Sequence, residues 1–309
     1  MGTEVRISVW TDDEPRAIDA CAQAFDEFDR LERLMSVWIA GSDIQRLNES
    51  AGGTPVAVSA EVLEVLQIAQ QISEWSGGVF DVTFAALSGL WKFDTQDKDG
   101  SVPDPDAIRA RLPLINYRDL VVDPKARTAL LKRTGMRINL GGIGKGYAVD
   151  RAVTLLRAHG LPDFMVQAGG DFYAAGGHGD RPWRIGIRDP RGPADRIFAA
   201  LDLSEGTFST SGDYERFFFK DGVRYHHILD VRTGEPARAS RSVTLVTNRA
   251  VLADALAKAV FVLGPRDGLA LLARIPNVEG VIVGAHNEVV VSPGLRNRLD
   301  LRAQPTDAP

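Results

Sequence analysis

The second half of the chain constrains the fold most. Strand-like segments recur at 163–168, 183–188, 197–203, 206–210, 215–219 and 242–247, with tight turns between them. Short strands joined this tightly point to antiparallel sheet. Helices are expected at 249–263 and 265–273, packed on that sheet, and two last strands near 279–284 and 287–291. The first half is more helical. Val5, Ile7 and Val9 alternate in a strand at 4–10. Residues 14–34 read as a long amphipathic helix with Ile18, Ala22, Phe25, Phe28 and Leu31 on one side. A short helix over 42–48 has Ser42 as its N-cap, and another at 60–75 stops before Gly77-Gly78. The Asp-, Lys- and Pro-rich stretch 93–106 reads as a surface excursion. Strands are expected at 119–122, 127–131 and 136–140, then a helix at 147–159. The fold class is therefore α+β, with largely antiparallel sheets packed with helices and no repeat. One domain over 1–301 is expected, with two interleaved subdomains as the alternative, and a disordered tail at 302–309.

Composition narrows the function classes. Of 309 residues, 44% are hydrophobic and 25% charged, the balance of a globular protein with a sizeable core. A net charge of −5 argues against a nucleic-acid partner but leaves room for a local basic pocket around a phosphate. Cys21 is the single cysteine, so no internal disulfide forms and cysteine usage does not identify the compartment. With Ile18 and Phe25 it makes an apolar stripe at helical spacing, which reads as core. No stretch approaches the ~20 apolar residues of a membrane span. The N-terminus Met1-Gly2-Thr3-Glu4 has no basic or apolar signal region. The compartment is cytoplasmic if Met1 is the native start. It is periplasmic, or membrane-anchored on the outer face, if an export signal has been removed.

Four segments carry candidate chemistry. Gly141-Gly142-Ile143-Gly144-Lys145-Gly146 lies between a strand and a helix, where bare backbone N–H groups and a helix N-terminus favour a phosphate. It is neither a P-loop nor a dinucleotide fingerprint, and a plain strand-to-helix turn explains it as well. Gly169-Gly170-Asp171 is a second glycine turn, either a hairpin corner or a ligand contact. Ser209 to Tyr214 is dense in hydroxyls and is followed by His226-His227-Ile228-Leu229-Asp230. A histidine there either bonds a phosphate and takes a proton or is satisfied within the sheet. Asp254 and Lys258 share a face of a helix otherwise lined by alanine and leucine. They form either an i,i+4 ion pair or part of a hard-cation site.

In this order the segments resemble the FAD:protein FMN transferases, the ApbE family. The resemblance runs from Met1 to about Gly264 and includes Ser36-Val37-Trp38, Ser42-Asp43-Ile44, Leu47-Asn48 and Gly77 to Thr83. It continues through Leu140 to Tyr147, Ala168 to Asp171, Thr210 to Tyr214, His227 to Asp230 and Ala253 to Leu256. It implies a T-fold-like architecture. It also implies FAD contacts at Met1, Trp38, Asn48, Val79, Phe80, Asp81, Asn139, Lys145, Gly170, Asp171, Ser211 and Ile228. Trp38 matches an aromatic suited to stacking on a flat ring. The implied Mg²⁺ ligands are the Gly142 carbonyl, Asp254 and the side chain at position 258; His227 matches a histidine near the reacting phosphates. Two residues depart from the family pattern. Asn139 stands where aspartate is usual, and Lys258 replaces the metal-binding threonine.

The implied chemistry is transfer of FMN from FAD to a Thr or Ser hydroxyl of an acceptor protein. The hydroxyl attacks the phosphorus on the FMN side of the pyrophosphate, and AMP leaves. Positioning and positive charge do most of the work. The family's acceptors are redox proteins that carry a Ser-Gly-Ala-Thr-like segment. The chain itself has none, so it reads as the modifying enzyme. The alternatives are an FAD-binding protein without transfer activity and an FAD pyrophosphatase releasing FMN and AMP. With lysine at 258, an Asp254–Lys258 contact and a weak Mg²⁺ requirement are expected.

Overall fold

The structure is a computed structural model that describes residues 2–93 and 100–308. Met1 and residues 94–99 of the expected surface excursion lie outside the described residues. Six α-helices are described: α1 (Glu14–Met35), α2 (Asp43–Glu49), α3 (Ala60–Trp75), α4 (Pro105–Arg111), α5 (Gly144–Ala158) and α6 (Ala250–Leu272). The chain divides into two units. The first comprises 1–30, 145–212 and 238–309, the second 31–144 and 213–237.

The first unit is built on a seven-stranded sheet. Its spatial order is Val5–Val9, Phe164–Ala168, Asp171–Ala175, Glu205–Gly212, Ser240–Thr247, Glu279–Gly284 and Val289–Val291. Every neighbouring pair is antiparallel. A four-stranded sheet packs on one face, with Phe198, Leu201, Ile185 and Ile187 meeting Phe208, Val246 and Val281. Helix α6 packs on the other, its Leu272 and the sheet's Leu245 both closing on Gly280. Alternation along Glu205–Gly212 follows from this layering. Phe208 enters the sheet-on-sheet core, while Ser209 and Ser211 face the α6 side. The two helices expected at 249–263 and 265–273 form within Ala250–Leu272 and are separated by a kink at Gly264. There φ is 79°, which favours glycine, and Pro265 cannot continue the preceding ladder.

Two expectations fail in this unit. Ile18 and Phe25 do not enter the core: they are 63% and 42% exposed, and Cys21 is half-buried. Ala22 is exposed as well, whereas Phe28 and Leu31 of the expected stripe are buried, joined by Ala20, Ala24 and Met35. Small alanines allow close packing, so they outrank the larger side chains as the inward stripe. The tail after Leu301, expected to be disordered, is pinned as far as Asp307. Thr306 donates its N–H and hydroxyl to the buried Asp189 carboxylate, and Arg241 bonds Asp307. A buried carboxylate needs such donors.

The second unit carries α2, α3, α4 and a small antiparallel sheet of Val56–Ala57, Thr128–Leu131 and Leu120–Asp123. Ser42 caps α2 as expected, accepting from the Gln45 N–H. Trp91, Phe93, Phe218 and Tyr225 stack together, and Trp91 Nε1 donates to the Gly234 carbonyl at 2.9 Å. The strand expected at 136–140 does not form. The Asn48 amide takes both backbone groups of Ile138, at 2.7 and 3.0 Å, and the Asn139 N–H bonds Val82 O. Those groups are then no longer available to a sheet ladder.

Candidate functional site

In the first unit, α5 and α6 meet at their N-termini. A Cβ on Gly146 would lie 2.2 Å from the Ala250 carbonyl oxygen and 2.8 Å from Asp254 Cβ. Glycine is required there by close approach. None of Gly141, Gly142, Gly144 and Gly146 has positive φ. The two helices cap one another. The Gly146 N–H donates to Asp254 Oδ2 at 2.9 Å, while Asp150 accepts from the N–H groups of Ala250 and Val251 at 2.7 and 3.1 Å. Each carboxylate therefore sits on the positive end of the other helix.

Asp254 is fully buried and is the centre of a charged chain. Lys145 Nζ lies 3.3 Å from Asp254 Oδ1 and 3.0 Å from Asp171 Oδ2. Lys258 Nζ donates to Asp254 Oδ1 and, at 2.8 Å, to the Asp254 carbonyl. The expected Asp254–Lys258 contact is present. Ser209, which pairs with Asp171 across the sheet, donates its hydroxyl to Asp171 Oδ1. Burial would raise the Asp254 carboxyl. Lys145, Lys258 and the Gly146 amide overcome this and hold it at about 2. Burial likewise works against the Lys145 ammonium, but Asp171 and Asp254 push it above the ordinary lysine value. The buried Ser211 hydroxyl, one step along the same face from Ser209, has no hydrogen bond among the described residues. It is a ready donor or acceptor for a ligand. Gly170 completes the hairpin: a Cβ would sit 2.8 Å from the Thr210 carbonyl.

In the second unit the other predicted residues divide by role. Trp38 is 89% exposed and offers an open ring face. Val79 and Phe80 are buried in packing. Asp81 accepts from the Thr83 N–H and hydroxyl and from the Tyr117 N–H, which anchors the turn at Val82–Leu87. Burial raises its carboxyl, and those donors only partly offset the rise. Asn48 positions Ile138, and Asn139 Oδ1 accepts the Gly141 N–H at 2.7 Å. Asn48 and Asn139 thus set the course of the glycine turn. Ile228 is buried, and Gly142 is half-buried in that turn. The two histidines separate clearly. His226 is buried, its Nδ1 accepting from the Ile228 N–H and its Nε2 bonded to the Ala237 carbonyl. That pattern fixes the Nε2–H tautomer. His227 is half-exposed, and its N–H donates to Arg216 O.

The donors around Asp254 do not fit a hard divalent cation. Mg²⁺ takes oxygen ligands, and position 258 presents an ammonium. A carboxylate has about four lone-pair sites. Lys258 and Lys145 on Oδ1, with Lys145 and the Gly146 N–H on Oδ2, make four contacts. Among the described residues, no group of three or more His, Cys, Asp and Glu is placed to hold a metal.

The antiparallel sheet, the paired helix N-termini and the lysine–carboxylate chain form a buried charged cluster on an α+β scaffold. The ApbE family profile matches residues 1–282. The FAD:protein FMN transferase of Treponema pallidum is 35% identical over 97% of this chain and 86% of that protein. That of Klebsiella pneumoniae is 31% identical over 100% and 93%. The crystal structure of the ApbE protein of Thermotoga maritima superposes with a TM-score of 0.86 at 33% identity, covering 96% of each chain. The flavin transferase ApbE from Vibrio cholerae gives 0.83 at 25% identity. The chain belongs to the ApbE family.

Proposed function

We infer that this chain transfers FMN from FAD to a protein hydroxyl and releases AMP. Membership of the ApbE family over residues 1–282 carries the reading, and relatives on either side are FAD:protein FMN transferases. FAD is the substrate. In the step itself, the acceptor oxygen bonds to the phosphorus on the FMN side. The pyrophosphate P–O bond breaks, and AMP leaves with the electron pair. The Lys145–Asp254–Lys258 chain is proposed to meet the pyrophosphate charge, with Ser211 donating a further hydrogen bond. His227 is proposed to orient the acceptor hydroxyl and take its proton. The acceptor is proposed to be a redox protein carrying a Ser-Gly-Ala-Thr-like segment. Because the donor set around Asp254 does not suit magnesium, no step is assigned to it. No described helix is long and apolar enough to cross a membrane.

The two histidines provide the test. His227→Ala should slow transfer about 10²-fold or more, the usual contribution of a positioned base. His226→Ala should act mainly on stability, because its two hydrogen bonds lie within the fold. In-gel fluorescence of an acceptor peptide, incubated with protein and FAD, reads the rate. Transfer that survives His227→Ala and vanishes in a folded His226→Ala reverses the assignment.

Trp38 has no comparable structural duty at 89% exposure. If the isoalloxazine stacks on it, Trp38→Ala weakens FAD binding by about 1–3 kcal/mol, the size of base–aromatic stacking. Fluorescence titration with FAD measures this, and an unchanged affinity removes Trp38 from the flavin site.

A further inference from the structure

Lys258 does more to Asp254 than pair with it. Its ammonium closes the last lone-pair site of a carboxylate that already receives Lys145 and the Gly146 N–H. It also straps itself to the Asp254 carbonyl at 2.8 Å. A divalent cation binding Asp254 would have to expel Lys258 and would then face the Lys145 ammonium at close range. Like charges at that distance in a buried setting are strongly unfavourable. The pair resists this for a second reason: Asp254 is fully buried, and stripping its partner leaves a poorly compensated charge.

We propose that Lys258 stands in for the divalent cation, so that this chain binds the FAD pyrophosphate with ammonium groups and without a metal. The proposal rests on the reading of FAD as substrate. An ammonium has three N–H donors. Lys258 spends two on Asp254, and its side chain is 23% exposed. The third donor is available to a phosphate oxygen. Asp254 then serves as the anchor that aims Lys258, and Lys145 ties the same anchor to Asp171 and the sheet. The cluster of Asp171, Asp254, Lys145 and Lys258 is formally neutral, so the incoming pyrophosphate meets ammonium donors with no unpaired carboxylate beside them.

The experiment pairs two titrations on the intact chain, on Lys258→Thr and on Lys258→Arg. Mn²⁺ binding is followed by electron paramagnetic resonance without FAD, and FAD binding by fluorescence in EDTA and again in Mg²⁺. The unmodified protein should show no saturable Mn²⁺ site and the same FAD affinity in both buffers. Lys258→Thr should gain a Mn²⁺ site. Its FAD affinity in EDTA should fall about tenfold or more, as loss of one charge-assisted hydrogen bond implies, and recover in Mg²⁺. Lys258→Arg should keep metal-independent binding. A saturable Mn²⁺ site in the unmodified protein that disappears in Asp254→Asn overturns the proposal. So does a Lys258→Thr variant that gains no metal and binds FAD unchanged in EDTA. Failure of FAD to bind in either buffer counts against the FMN-transfer reading instead, and the Mn²⁺ titration still decides the role of Lys258.

Discussion

Lys145→Met should destabilise the protein by about 3–5 kcal/mol, the cost of removing one partner from a buried ion pair. Lys145 bridges two carboxylates that are almost wholly buried, Asp171 and Asp254. Methionine keeps the unbranched apolar stem and removes the ammonium, so lost packing contributes little. The deficit should depend on pH with a definite sign. Asp254 titrates at about 2 in the folded protein, against about 3.9 for an unperturbed aspartate. Its stabilisation is complete above the unfolded value and is lost as pH falls through the folded one. The gap between the two proteins should therefore be full at pH 7 and shrink between about pH 4 and pH 2. Urea unfolding at several pH values measures it. A gap below about 1 kcal/mol at pH 7, the range of an exposed pair, would mean that Lys145 holds nothing buried together.

Gly146→Ala should cost about 3 kcal/mol, the upper end of ordinary overpacking. The added methyl meets the Ala250 carbonyl oxygen at 2.2 Å, and backbone cannot swing aside as a flexible side chain can. Relief requires α5 and α6 to part, which also lengthens the Gly146–Asp254 bond and both Asp150 caps. Gly89→Ala is the control, since its Cβ would meet nothing within 4 Å although its φ is 83°. It should lose only the strain of that backbone, about 1 kcal/mol. Thermal unfolding of both variants ranks them, and equal losses would refute the close-contact argument.

The legible parts of the fold were those with local signals. Alternation and tight turns identify the antiparallel sheet, and the Gly169-Gly170 corner is the hairpin turn between two of its strands. Asp254 and Lys258 are four residues apart on one helix, so their contact follows from helical geometry. The bonds from Lys145 to Asp254 span 109 positions and leave no local trace. The same holds for Asp150, whose role as a cap for α6 depends on the packing of two helices far apart in sequence. Segment 136–140 misleads for a related reason. Met136, Ile138 and Leu140 alternate with polar residues as in a strand, but Asn48, 90 positions away, takes the backbone groups of Ile138. On α1 the pattern offers two stripes, and hydrophobicity favours Ile18 and Phe25 over the alanines that pack inward. Phe80 and Asp81 show a different limit. The family resemblance implies FAD contacts there, and locally their side chains serve the core and the Thr83 and Tyr117 bonds.

Group transfer to a protein hydroxyl changes the acceptor's mass, and intact-mass analysis of an acceptor reads it without a reporter. A peptide carrying a Ser-Gly-Ala-Thr-like segment is incubated with this protein and FAD, and AMP is quantified in the same sample. One FMN should be added through phosphate to the Thr or Ser hydroxyl, with one AMP per modified acceptor, and neither product should form with a folded Asp254→Asn variant. AMP accumulating while the acceptor mass stays unchanged, or FAD recovered intact after prolonged incubation, would rule out FMN transfer by this chain.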